Sequence, residues 1–581
     1  MSNQSQVPAL GPTQRQQAWD QLQHSEFDVV VIGGGVVGVG TALDAATRGL
    51  KVALVEARDF ASGTSSRSSK MFHGGLRYLE QLEFGLVREA LHERELSLTR
   101  LAPHLVKPLK FLFPLTHRVW ERPYIAAGIF LYDRMGGAKS VPAQKHYTRA
   151  GARRLVPALS RKALVGGIQY YDTVVDDARH TMTVARTAAH YGAVVRTSTQ
   201  VVGFIREADR VCGVQVRDVE DGRTAQVRAR VVINATGVWT DEIQALSHVR
   251  GRFRVCSSKG VHIVVPRDRI VSDAAIILRT EKSVLFVIPW GSHWIIGTTD
   301  TDWNLDLGHP AATKADIDYI LQHVNSVLVT PIAHSDIAGV YAGLRPLLAG
   351  ESDETSKLSR EHAVARVAPG LVTIAGGKYT TYRVMGKDAV DLAVGDIDAR
   401  VPDSVTEQVP LVGADGYFAL VNQMASVGDQ HGLHSYRVRH LLDRYGSLIG
   451  DVLAYAKDTP HLLEPITAAP SYLQVEAVYA AAEEGALHLD DILARRTRIA
   501  IEYGHRGVDC AEQVAALVAP ILGWDETQTE QEIELYRARV IAEIESQKLP
   551  DDESADALRA AAPDSRPELL EPVPPTAPLE E

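Results

Sequence analysis

An α/β fold carrying a helical C-terminal domain is the architecture that this 581-residue sequence predicts. Three observations point to it. A complete strand, glycine turn, helix and strand occupy residues 28–56, β-forming blocks recur between residues 194 and 299, and short helical patterns take over beyond about residue 405. The length asks for more than one domain, because single cores seldom grow past roughly 250–300 residues.

Residues 1–26 show no apolar core, cleavage site or Arg-rich pattern. They read as a flexible lead-in with at most a short helix around residues 14–22, and as neither a secretory signal nor a transit peptide. Residues 29–32 are apolar β-formers, and Gly33-x-Gly35-x-x-Gly38 follows at once. An apolar helix pattern runs through Leu43 and Ala46, and a second strand at residues 52–55 ends on Glu56. Gly33 makes the tight turn, Gly35 lets backbone N–H groups approach a pyrophosphate, and Gly38 lets helix and strand pack closely. The helix N-terminus adds partial positive charge. Glu56 can accept from both ribose hydroxyls, which favours FAD or NAD over NADP.

Residues 60–70 (FASGTSSRSSK) are a Ser/Gly-rich loop full of hydrogen-bond donors. His73-Gly74-Gly75-Leu76-Arg77-Tyr78 comes next, followed by an amphipathic helix over about residues 82–101. Residues 107–139 mix aromatics and aliphatics with six Lys/Arg against two acids. That mixture suits the headgroup boundary of anionic lipid, through Phe111, Leu112, Phe113, Trp120, Tyr124, Ile125, Ile129, Phe130 and Leu131, or else a buried helix with solvated basic ends. Asp176-Asp177 opens a helix to Tyr191 as an N-cap. Strands fill residues 194–235 and 255–299, and LVTIAGGKYTTYR reads as strand, Gly-Gly turn and a helix through Ala393. Residues 405–550 form the helical domain. Residues 551–581 are Pro/Ala/acid-rich with few large apolar groups, which predicts a disordered acidic tail.

The net charge of −11 argues against nucleic acid as a partner. Cys212, Cys256 and Cys510 have neither CxxC nor metal spacing, so they read as inert thiols of a reducing cytosol and no metal site is expected. No stretch approaches the roughly 20 apolar residues that span a bilayer. Three strand-to-glycine turns, at Gly33, at Thr236-Gly237 and at Gly376-Gly377, exceed the needs of one short nucleotide. A cofactor as long as FAD requires backbone approach at several points. A helix N-terminus at residues 378–381 would aim its dipole at the flavin N1/O2 edge, where reduction builds negative charge. A second full GxGxxG is missing, so the substrate itself is the expected reductant.

IGGGVVGVGTALDAATRGL, TSSRSSKMFHGGLRYLE and GGKYTTYR, together with DTVVDDAR, KGVHIVVP, FVIPW…IIGTTD and AGLRPL, closely resemble the FAD-dependent glycerol-3-phosphate dehydrogenases of respiring cells. The resemblance covers roughly residues 27–400 and is nearest the actinobacterial branch. It implies a glutathione-reductase-like FAD-binding Rossmann domain and an antiparallel-sheet substrate domain, interleaved over residues 27–404, with the helical C-terminal domain behind. It further implies oxidation of sn-glycerol 3-phosphate to dihydroxyacetone phosphate by hydride transfer to flavin N5. Electrons would pass to membrane quinone at the inner face of the cell membrane, feeding glycerol catabolism into respiration. A homodimer is left open. The sequence has no EF-hand loop, so calcium control is not expected.

Carried over motif by motif, Gly33, Gly35, Gly38 and Glu56 hold the adenosine half of FAD. Thr64, Ser65, Ser66, Lys70, His73, Thr236, Gly237, Gly377, Lys378 and Thr380 line the pyrophosphate and flavin. Arg77 and Tyr78 face the substrate phosphate, and Arg345 and Lys378 stand at flavin and substrate. A dianionic phosphate needs at least two cations, and a guanidinium grips it bidentately. A plain salt bridge suits Arg48, Arg58 or Arg118 better. Proton loss from the C2 hydroxyl calls for a neutral base near pH 7. His73 and His262 are the candidates, His262 preferred for its place in the substrate-domain sheet, with Lys378 as the alternative. The competing readings are an oxygen-using flavin oxidase of glycerol phosphate or an amine or amino acid, a tRNA-acting flavoprotein, and a non-catalytic FAD scaffold. The acidic balance counts against the second. The third leaves Arg77, Arg345 and Lys378 without purpose.

Overall fold

The computed structural model describes residues 7–75, 83–117, 120–135, 140–248, 253–280, 284–349, 362–566 and 568–570. Strand Glu26–Ile32 leads through the glycine turn into helix Val36–Thr47, and Val52–Val55 returns parallel beside it. Val29, Val30 and Val31 are wholly buried, as a parallel strand covered on both faces requires. Its other parallel neighbour is Thr224–Asn234, and Leu371–Gly376 runs parallel to that strand in turn. Ile32 pairs with Asn234, and Asn234 with Thr373. All three glycine turns therefore leave the carboxyl ends of neighbouring parallel strands along one sheet edge, the position where open α/β sheets bind ligands. His362–Ala368 and Val194–Arg196 complete the order at the two sides, and the hairpin Thr199–Glu207/Arg210–Asp218 attaches through Thr224–Asn234.

The second sheet has ten strands among the described residues and is mostly antiparallel. Its centre pairs Val255–Pro266 with Gly339–Leu348, which sets His262 opposite Tyr341 and Ser258 opposite Arg345. Lys107–Leu115 lies inside this sheet, antiparallel to Gly166–Val174 and parallel to Ala275–Arg279. Residues 107–115 are thus neither a lipid wedge nor a helix. Phe111 and Leu112 are fully buried and Phe113 nearly so. A strand covered on both faces reads as one continuous apolar run, and periodicity alone cannot tell such a run from a helix. The expected helix does form over Glu121–Met135, with Ile125, Ile129 and Tyr132 inward and Trp120, Tyr124, Phe130 and Leu131 exposed. Arg118 and Lys139 lie outside the described residues.

From Tyr417 to Ser546 the chain is largely helical, with one apolar cluster around Val438, Leu441 and Tyr479 and another around Leu489, Ile492 and Val514. A short hairpin, Pro465–Ile466 with Ala469–Leu473, interrupts it. The helical region meets the nucleotide-binding unit through buried charges. Asp59 takes Arg495 and Arg496 at 2.6 and 2.7 Å, Asp176 takes Arg498 at 2.6 Å, and Arg179 takes Glu484. Asp176 also caps helix Asp177–His190 by accepting from the Arg179 N–H.

The short helix expected around residues 14–22 forms, but both ends of the chain are packed where flexibility was expected. Helix Pro12–His24 buries Ala18, Trp19 and Leu22, with the Arg196 guanidinium 4.6 Å over the Trp19 ring. The acidic tail forms helix Asp552–Ala560 and continues as a packed segment. Its charges suggested disorder, yet several find fixed partners: Asp552 pairs with Lys259, Asp564 with Arg58 at 2.6 Å, and Arg566 with Asp491 at 3.1 Å. Residues 571–581 lie outside the described residues.

Candidate active site

A cavity of about 510 Å³ opens where the edge carrying the glycine turns meets the second sheet. Gly33, Gly35, Glu56, Thr64, Ser65, His73, Thr236, Gly237, His262, Arg345, Gly377, Lys378 and Thr380 all line it. Gly38 stands behind the wall, where an added Cβ would lie 1.9 Å from the Gly33 carbonyl oxygen, so helix and strand touch there as expected. A Cβ on Gly35 would meet only Ser65 Oγ at 3.3 Å, the rest of its surroundings being open. That is the geometry of a backbone left bare for a ligand. Ser65 Oγ accepts from the Val36 N–H at 2.9 Å, fixing the loop to the first turn of the helix. Glu56 accepts from the Gly34 N–H at 2.5 Å and the Arg58 N–H at 2.8 Å, and each oxygen keeps a further lone pair for a ribose hydroxyl. Burial raises the Glu56 pKa, opposed by those two hydrogen bonds.

Lys70 departs from its expected place. It is fully buried, and its Nζ donates to the Ser66 carbonyl and to Asp177 Oδ1, both at 2.8 Å. Burial, reinforced by Arg498, lowers its pKa to about 8. Lys70 ties the Ser-rich loop to the helix opening at Asp177, and Ser66 is buried with it as the acceptor. Neither joins the cavity lining. Arg48 and Arg58 make the plain ion pairs read for them, with Asp44 and Asp564. Arg77 and Tyr78 lie outside the described residues.

At the third glycine turn, Gly377 has φ +82 and no room for a side chain, since a Cβ would lie 2.5 Å from Met385 Sδ. The chain then turns through Tyr379–Thr381 into helix Tyr382–Ala393. Thr380 Oγ1 exchanges hydrogen bonds with the backbone N–H and carbonyl of His73, at 3.2 and 3.3 Å. Gly74 N–H donates to the Tyr132 hydroxyl at 2.8 Å, which donates to Asp172 at 2.6 Å, and Arg94 completes the set. The inward face of helix Glu121–Met135 therefore anchors the His73-Gly74 turn.

His262 stacks on Tyr341 with ring centroids 4.8 Å apart, and its Nε2 meets Ser69 Oγ at 2.9 Å. Its Nδ1 is buried without a hydrogen-bond partner. Burial, then Arg345 and Lys70, holds the imidazole pKa well below its ordinary value, so the ring is neutral. Arg345 donates to Thr298 Oγ1 at 3.0 Å, the Thr299 carbonyl at 3.2 Å, and Ser258 Oγ and Asp300 at 3.3 Å. Ser69, Asp300 and Tyr341 hold these groups in place and were missed by the sequence reading, although the quoted SSK and GTTD runs contain the first two. Glu242 was missed as well. It lines the cavity, and burial followed by Asp306 and Asp241 pushes its carboxyl up to about 7. The bare backbone at Gly35, the ribose-ready Glu56 and the unpartnered nitrogen of His262 fit a bound FAD.

A family profile described as FAD dependent oxidoreductase matches residues 28–392. A second, described as the C-terminal domain of alpha-glycerophosphate oxidase, matches residues 404–529. Glycerol-3-phosphate dehydrogenase 2 of Mycobacterium tuberculosis is 76% identical over 99% of this chain and 100% of its own length. The human mitochondrial glycerol-3-phosphate dehydrogenase is 34% identical over 90% of this chain and 75% of its own. The crystal structure of the Bacillus halodurans glycerol-3-phosphate dehydrogenase complexed with FAD superposes with a TM-score of 0.76 at 27% identity, covering 91% of this chain and 98% of that one. The chain belongs to the FAD-dependent glycerol-3-phosphate dehydrogenases, within the FAD-dependent oxidoreductase family.

Proposed function

We propose that this chain oxidises sn-glycerol 3-phosphate to dihydroxyacetone phosphate and delivers the electrons to membrane quinone, linking glycerol use to respiration. The observation that carries this reading is the meeting of a neutral histidine, His262, with the cations Arg345 and Lys378 in one cavity beside the FAD-fitting turns. When bound, FAD supplies the acceptor for the C2 hydride. His262 is the base for the C2 hydroxyl proton. Its depressed pKa keeps it unprotonated, and a phosphate dianion would offset the Arg345 charge that contributes to the depression. Arg345 is braced by four acceptors, so its guanidinium is pre-oriented. Anaerobic bleaching of the flavin absorbance by glycerol 3-phosphate, and not by glycerol, tests the substrate assignment. Rapid oxygen consumption without added quinone would favour the oxidase alternative.

The acceptor places the protein at a membrane surface. No helix among the described residues is long and apolar enough to cross a bilayer. With Phe111 and Phe113 in the core, the lipid-facing candidates are Trp120, Tyr124, Phe130 and Leu131, and Arg134 lies 5.2 Å from the Phe130 ring. Aromatics beside a cation suit the headgroup boundary of anionic lipid. A Trp120→Ser/Tyr124→Ser/Phe130→Ser variant should retain FAD and fail to pellet with anionic liposomes at low salt. Wild-type pelleting by that variant would move the contact elsewhere.

A further inference from the structure

The tail segment beyond helix Asp552–Ala560 crosses the edge of the nucleotide site. Leu569 and Leu570 line the cavity in company with Glu56, Arg58 and Gln200. The Gln200 amide closes on Leu570, donating to its carbonyl at 2.9 Å and accepting from its N–H at 3.0 Å. Just upstream, the Glu568 N–H donates to the Val219 carbonyl at 3.1 Å, and its carboxylate pairs with Arg217. Arg566 is only 4% exposed and donates to Ser198 Oγ at 3.0 Å and to Asp491 at 3.1 Å. Asp564 pairs with Arg58 at 2.6 Å, His309 at 3.3 Å and Arg539 at 3.4 Å.

These anchors come from all three parts of the molecule: Arg58, Gln200 and Arg217 from the nucleotide-binding unit, His309 from the connection between strands Thr301–Trp303 and Gly339–Leu348 of the second sheet, and Asp491 and Arg539 from the helical region. The backbone N–H of Arg58, the residue that Asp564 grips, donates to Glu56, the acceptor for the ribose. We propose that Asp564, Arg566 and residues 568–570 form the outer wall of the adenosine end of the FAD site and act as a strap that retains the cofactor. Closing that end removes adenosine surface from water, and release then waits on opening of the strap. The effect falls on the dissociation rate, where differences in affinity between related complexes mostly reside.

The test is FAD release from holoenzyme, followed by flavin fluorescence after dilution. A chain truncated after Ala562 should release FAD at least about tenfold faster, equivalent to about 1.4 kcal/mol. Arg566→Ala should move in the same direction, and it leaves no lone carboxylate because Asp491 keeps Arg495 at 2.6 Å. Glu568→Arg should also speed release by setting like charges against each other at Arg217, and Arg217→Glu/Glu568→Arg should restore it. The charge-swapped pair keeps the question open to refutation even if the truncated chain does not fold. Release within twofold of wild type from a folded truncated chain, or from Glu568→Arg, would overturn the strap. Failure of the swap to restore slow release would overturn it as well.

Discussion

The nucleotide-binding unit is held together by shape, and its contact with the helical region by charge. At Gly38 the helix and strand approach until a single Cβ would sit 1.9 Å from a carbonyl oxygen. Across the interface, buried Asp59 and Glu484 and half-buried Asp176 are each matched by a buried arginine. The first arrangement has no tolerance for an added atom. The second has none for a removed charge, because breaking a buried pair strands its partner away from water.

The largest effects should come from adding atoms to the glycine turn, and two substitutions divide them. Gly38→Val collides with backbone and should prevent the unit from folding, leaving little soluble protein. Gly35→Val meets only Ser65 Oγ, so the chain should fold with near wild-type circular dichroism and lack flavin absorbance altogether. Flavin retained by the purified Gly35→Val protein would show that the bare backbone at this turn is not the pyrophosphate cradle.

Removing a charge comes next. Asp59→Asn leaves two buried guanidiniums with one carboxylate fewer, and should cost about 3–5 kcal/mol of stability in denaturant unfolding. Arg495 keeps Asp491, and Arg496 keeps only the Glu484 carbonyl, so Arg496 is the group most exposed to the loss. A destabilisation no greater than an exposed pair gives, about 1 kcal/mol or less, would mean that packing and not charge holds the two regions together.

The same division explains what could be read from the sequence. The glycine unit declares itself because its tight turn, bare backbone, helix–strand contact and terminal Glu56 fall within residues 28–56. The second and third turns followed from strand–glycine patterns of the same local kind. Asp59 and Arg495 lie 436 residues apart, and no local pattern announces such a partner. Asp176 was read correctly as a cap, but its bond to Arg498 was invisible. The tail was misjudged for a related reason: composition predicts disorder when charges must stay in water, whereas Asp564 and Arg566 find partners scattered from Arg58 to Arg539. At the site, the turns and His262 were legible as motif members. Lys70 was misplaced because its motif gives no hint that its side chain turns inward to Asp177.

A smaller and more specific effect is expected at Arg345, which combines the two modes, being a charge whose planar shape matters. Its donors reach four acceptors, and an ammonium cannot reproduce that spread. Arg345→Lys should lower kcat/KM by about 30- to 1000-fold, or about 2–4 kcal/mol, with FAD content unchanged. Kinetics near wild type would remove Arg345 from the transition-state site.

The smallest effect is graded by pH and isolates one charge of the interface. His488 lies between Glu532 at 2.8 Å and Glu220 at 3.1 Å, joining the helical region to the nucleotide-binding unit. Burial and the nearby Arg566 disfavour its protonation, but the two glutamates prevail and push its pKa up to about 10. A histidine in the unfolded chain titrates near 6.5, so the folded state binds this proton more tightly. The stabilisation is therefore complete below about pH 6.5 and is lost as pH rises through about 10. His488→Gln keeps a hydrogen-bonding side chain without the charge, so the gap in melting temperature between wild type and variant should be widest at pH 6 and should close toward pH 10. A gap independent of pH across that window would mean that His488 contributes through shape alone, and that this part of the interface belongs with the glycine turn.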